Sequence, residues 1–228
     1  KVAFQFLKEN PQVIGAYPSH YYLERSDPAL NRYYSLIGGN DPLAVEIGKA
    51  DRLPQDVGVK GVEVISFKES IPTLGDNGFF IRREILLKAN IEEYYHIDVC
   101  EDLRRLGYFT YARLAGEIWH RTGSDGIYRS LIKRFKYALQ HSFSKERRYH
   151  LVGRRDTLRL IWFIITSITI VIPTWRAIKG WAKVRDVAWF LHPLMCLATV
   201  LTYTILVINV TVRTMLQWLS AHWEGRKV

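Results

Sequence analysis

Three carboxylates stand close together in the stretch HIDVCEDLRRLGY: Asp98, Glu101 and Asp102. On a helix, Asp98 and Asp102 are one turn apart and share a face. Glu101 points about one hundred degrees away from Asp102. An acidic residue in the first turn of a helix is favoured by the helix dipole and stays ionised. That suits a base taking a proton from an incoming hydroxyl. The same pattern is also ordinary capping chemistry, and Glu101 with Arg104 or Arg105 reads equally well as a surface ion pair. Spacing alone leaves both readings open. Upstream, TLGDNGFFIRREILLKA places Gly75, Asp76, Asn77 and Gly78 in a turn ahead of a buried strand. Its glycines allow a polar backbone nest to approach a sugar or phosphate closely, or they simply turn the chain. His120, at the end of the run IWH, is by itself more often a satisfied polar residue than a ligand.

These groups need a scaffold, and the surrounding pattern supplies one. VIGAYPSHYYL (13–23) is aromatic and β-branched, as a strand is, and VEVISF (62–67) alternates. NRYYSLIG and PLAVEIGKADRLP read as short helices broken by Gly and Pro. GFFIRREILLKAN passes from a buried strand into a helix. HIDVCEDLRRLGY is a helix ended near Gly107, and FTYARL with EIWH continues as strand. Strands alternating with helices predict an α/β domain with a mainly parallel or mixed sheet. IYRSLIKRFKYALQHSF sets Ile127, Leu131, Phe135 and Leu139 at helical spacing with basic residues between them.

After about residue 156 the composition changes. The charge-free run Leu160–Trp175 is borderline for the roughly 20 residues that span a bilayer, and Pro173 tends to close its helix. The run Val187–Val212 clears that length. Together they predict a two-helix transmembrane hairpin. The formal net charge of +10 has a local origin in Lys145, Arg147, Arg148, Arg154, Arg155 and Arg159, just before the first run. Such a cluster is drawn to anionic lipid and favours a cytoplasmic location for that side. No recognition motif accompanies the charge, so nucleic acid is not expected as a partner. Cys100 and Cys196 lie in different regions, which fits reduced thiols.

GDNGFFIRREILLKA, HIDVCEDLRRLGY and IWH together resemble the acceptor-side half of the family 2 glycosyltransferases. NRYYSLIGGNDP and WFLHPLMC are similar to a membrane-bound bacterial branch of that family. The resemblance implies a partial GT-A (Rossmann-like) domain that moves a sugar from a nucleotide-sugar donor to a lipid-linked or glycan acceptor. It implies Asp98 as base, with Asp102 and Glu101 beside it, and substrate binding by Gly75, Asp76, Asn77, Gly78, Arg129 and Arg134. It also implies a divalent metal (Mg2+ or Mn2+) to which His120 contributes. The bacterial inner membrane, with the catalytic part in the cytoplasm, is the implied location.

The chain departs from the family pattern in several places. Aligned without a gap on Gly107-Tyr108, the usual Glu-Asp pair falls on Tyr95-His96, and Asp98 comes two residues late. Glu101-Asp102 is the literal pair but lies too near Gly107. The Gln-x-x-Arg-Trp motif of processive synthases appears only as Leu131-Ile132-Lys133-Arg134-Phe135, so polymer synthesis is not expected. The Asp-x-Asp metal motif and the first nucleotide-binding strands are not in this sequence, and Asp27 stands between Arg25 and Ala29. A fragment inactive on its own is therefore expected. Its parts are the C-terminal half of a transferase domain (1–125), a basic juxtamembrane helix (126–156), and the hairpin with its tail (157–228). The competing reading is a non-catalytic membrane-anchored adaptor that keeps the fold.

Overall fold

A computed structural model describes residues 1–75, 78–90, 96–121, 126–143, 149 and 151–224. Strands β1 (Gly15–Tyr21), β2 (Val62–Ser66), β3 (Phe80–Ile81) and β4 (Thr110–Ile118) form one mixed sheet in the order β2-β4-β1-β3. β1 and β4 run parallel at its centre, and β2 and β3 are antiparallel edges. β1 is covered on both faces, so it buries consecutive residues instead of alternating. Pro18 has no N–H for the ladder, and the register with β4 shifts between Pro18 and His20. Such an irregularity is where a strand tolerates proline. Gly15 admits β3, since a Cβ there would lie 2.6 Å from the Phe80 carbonyl oxygen. FTYARL and EIWH fall within or next to one continuous strand, β4.

The helices are α1 (Val2–Glu9), α2 (Ala29–Ile37), α3 (Pro42–Glu46), α4 (Arg83–Lys88), α5 (His96–Arg105) and α6 (Gly126–Phe143), then α7 (Thr157–Thr169), α8 (Val171–Lys183) and α9 (His192–Glu224). On one face of the sheet, Ile85 of α4 and Val99 and Leu103 of α5 pack with Tyr17 and Tyr111. On the other, Ala3 of α1 meets Ala16 and Ala112. α5 ends in a left-handed turn at Gly107 (φ 92°), and Tyr108 N–H donates back to the Leu103 carbonyl at 2.8 Å. That geometry is why a glycine stands there.

The apolar third of the chain is joined to this body. Leu30, Tyr33 and Leu36 of α2 share a core with Ala188, Trp189 and Met195. Leu43 and Ile47 pack with Phe163 of α7 and Cys196 of α9. Arg32 holds the buried Asp186 at 3.0 Å. The segment Val187–Trp218 is long and apolar enough to cross a membrane.

The first arm of the expected hairpin is not one straight helix. It stops after 13 residues, and the chain bends by 87° at Ile170 into α8. The reason is Pro173, whose ring would meet the Thr169 carbonyl in an unbroken helix but fits in the first turn of a new one. Arg176, Lys179 and Lys183 lie on α8.

Candidate active site

The acidic stretch folds as α5, with Asp98 in its first turn. Asp98 is fully buried, and its Oδ1 accepts a hydrogen bond of 2.7 Å from the Tyr149 backbone N–H. The Tyr149 hydroxyl donates to the Ile71 carbonyl at 3.2 Å. Burial pushes that phenol above its ordinary range, so it remains a protonated donor. Tyr149 thus closes over the first turn of α5 and ties it to the segment that leads into the glycine turn. The same covering segment is pinned by Lys49, which donates 2.7 Å hydrogen bonds to the Leu151 carbonyl and Asp156. The Lys49 carbonyl in turn accepts from Thr73.

Glu101 and Asp102 have different surroundings. Glu101 takes a two-point contact from Arg104 at 2.8 Å and a 2.9 Å bond from Arg105. The Arg104 guanidinium, more than Arg105, holds the Glu101 carboxyl below its ordinary range against the opposing effect of burial. Arg104 also donates to the Lys68 carbonyl at 2.9 Å. Glu101 is therefore the anchor of a clamp between α5 and the chain after β2. Asp102, one turn beyond Asp98, is half-buried. Cys100 is enclosed in the core and its thiol is pushed up to about 12 by burial, so it is not a thiolate nucleophile at neutral pH.

Gly75 and Gly78 both have positive φ, 109° and 70°. A Cβ on Gly78 would lie 2.4 Å from Ile118 Cδ1, so the turn presses on the end of β4. Asp76 and Asn77 lie outside the described residues. His120 follows the end of β4 and its ring lies 4.7 Å from that of Tyr21. Tyr21 donates its hydroxyl to Asp51, and the buried Arg52 sits 5.4 Å over the Tyr21 ring. Among the described residues no group of three or more His, Cys, Asp or Glu side chains could hold a metal ion. Among the contacts of His120 is the aromatic ring of Tyr21.

The two arginines of α6 separate. Arg129 is exposed. Arg134 turns inward, 3.2 Å from Thr199 Oγ1 and 3.7 Å from Asp41. Asp41 also accepts from the Tyr203 hydroxyl at 2.5 Å and from the Leu43 N–H at 2.9 Å, which caps α3. Arg134 is engaged in joining α6, α3 and α9, which leaves Arg129 as the arginine of this pair open to solvent. Sequence reasoning passed over Tyr149, Lys49 and Arg52. The run KADRLP offered the only local sign of the last two, as basic residues flanking Asp51.

No protein-family model, curated protein or solved structure matches this chain.

Proposed function

We propose that the chain is the acceptor-side part of a membrane-associated sugar transferase of the family 2, GT-A type. What carries the reading is the order of elements. A glycine turn leads into β3 and α4, an acidic first turn opens α5, and β4 leads directly to His120. This order is similar to that of the family's acceptor-side half. In the proposed reaction an acceptor hydroxyl attacks the anomeric carbon of a nucleotide sugar. The bond from that carbon to the diphosphate oxygen breaks, a glycosidic bond forms, and the hydroxyl proton passes to Asp98. A positioned base contributes typically about 10²–10⁴-fold. Asp98 is covered by Tyr149, so acceptor entry requires Tyr149 to move aside. Arg129 adds charge for the departing nucleoside diphosphate, and the Gly75–Gly78 turn approaches the sugar. The apolar α9 holds the site at the cytoplasmic face of the bacterial inner membrane, beside a lipid-linked or glycan acceptor.

One observation favours the adaptor reading. Asp98 is sealed and Glu101 is committed to two arginines, as expected of carboxylates that only hold the fold. The two readings part on one experiment. Membranes containing the full-length gene product are given radiolabelled uridine and guanosine diphosphate sugars, with Asp98→Asn alongside. Label transfer lost in the variant supports the transferase, and no transfer from any donor supports the adaptor.

A further inference from the structure

α7 and α8 are each 13 residues long, about 20 Å, against a hydrocarbon core of about 30 Å. Neither arm alone can cross it, and at an 87° bend the pair is either one broken span or a re-entrant elbow. The break itself is well satisfied. Thr174 donates both its N–H (3.0 Å) and its hydroxyl (2.8 Å) to the Ile170 carbonyl, and the Thr169 hydroxyl donates to the Thr166 carbonyl. Irregular backbone is tolerated beside lipid only when its polar groups find such partners.

Each arm has two faces. On α7, Phe163, Thr166 and Ser167 are buried against the body, while Ile161, Ile165 and Ile168 are about half exposed. On α8, Ala177 and Gly180 face inward, while Val171, Trp175 and Ile178 face out. The outer faces together expose six large apolar side chains, more than single scattered residues would give. Its rim is cationic. Arg154 is exposed at the start of the first arm, Lys179 lies 5.1 Å over the Trp175 ring, and Arg185 lies 4.1 Å over the Trp181 ring. Aromatic rings with cations beside them suit the headgroup level, where stems stay apolar and charges reach water.

We infer that the α7–α8 elbow beds in one leaflet of an anionic bilayer without crossing it, so that among the described residues α9 alone crosses and the N-terminal body and the C-terminal end of α9 lie on opposite faces. The inference rests on the membrane reading of α9 and is independent of sugar transfer. Charge decides the occupant. A second copy docked face to face would bring two basic rims together, whereas anionic headgroups neutralise them.

The test uses the whole chain reconstituted in vesicles of phosphatidylcholine and phosphatidylglycerol. Both native cysteines are buried, which limits background labelling. Ile165→Cys, Ile178→Cys and Ile208→Cys each carry a fluorophore, quenched by lipids brominated near the headgroup or deep in the tails. An epitope after Val228 is probed by protease added on the side of the N-terminal body. The expected result is shallow quenching at 165 and 178, deep quenching at 208, and a protected epitope. Deep quenching at 165 with an epitope cleaved from the body's side would restore the spanning hairpin and overturn the inference. Unquenched elbow labels beside a deep 208 would overturn it too, and a cross-linkable dimer would then identify a second copy as the occupant. If 208 is also unquenched, the membrane reading of α9 falls, and the elbow's seating with it.

Discussion

Replacing Asp98 should separate the two roles its carboxylate can hold. Asparagine keeps an oxygen in place for the Tyr149 N–H, now 2.7 Å from Asp98 Oδ1, but it cannot take a proton. A hydrogen bond to a charged group contributes about 1.5–3 kcal/mol and a neutral one about 0.5–1.5, so Asp98→Asn should cost roughly 1 kcal/mol of stability. Alanine leaves a buried N–H without an acceptor, which costs about 1–3 kcal/mol, and adds a cavity beside the core. Loss of a base should lower transfer about 10²–10⁴-fold, or roughly 3–5 kcal/mol of barrier. Asp98→Asn should therefore be nearly as stable as the parent and nearly inactive, while Asp98→Ala is both unstable and inactive. Thermal melts of both variants, beside transfer rates of the full-length product, read the two effects separately. A near-normal rate in Asp98→Asn refutes the base assignment. If Asp102→Asn then lost the rate, the literal Glu101-Asp102 pair would hold the base.

Further expectations concern the supports of the site. The depressed carboxyl of Glu101 stabilises the fold above the ordinary glutamate range near about pH 4, and this contribution is lost as pH falls through the lower folded value. Urea midpoints should drop on acidification in the parent, with a shallower acid limb in Glu101→Gln; parallel limbs would remove the clamp's role. Arg134→Met should cost about 2 kcal/mol by leaving Asp41 without its counter-charge, and adding Asp41→Asn should recover much of it. An unchanged melt with a raised donor KM would instead return Arg134 to the diphosphate. Gly180→Ala should lower the melting temperature, because its Cβ would stand 2.5 Å from the Trp189 ring; overpacking of about 1–3 kcal/mol outweighs the roughly 1 kcal/mol of helix propensity gained. A higher melting temperature would show that Trp189 does not pack there.

The local elements were legible where chain pattern and chain punctuation agree. α5 ends at the Gly107 turn because LRRLGY says so in neighbouring residues, and β1 sits where the aromatic, β-branched run placed it. What failed to show was set at long range. The cover over Asp98 comes from Tyr149, 51 positions away, and no local signal marks a backbone N–H that will cap a distant carboxylate. Arg134 looked available because basic residues on an amphipathic helix usually face water, yet its direction is decided by Asp41 and Thr199 on other elements. Pro173 marked a break in the first apolar run, but a run of apolar residues does not say which way the chain leaves it. The left-handed Ile170 (φ 62°) and the 87° angle of the turn at that break have no counterpart in the local pattern.

The central claim is sugar transfer with Asp98 as base, and transfer itself is the most direct measurement. Membranes carrying the full-length gene product, incubated with radiolabelled nucleotide sugars, should pass label to a lipid-linked or glycan acceptor and release nucleoside diphosphate in equal amount. Asp98→Asn, present at the same level in those membranes, should lose that transfer about 10²-fold or more. Label passed equally by the parent and Asp98→Asn would contradict the account.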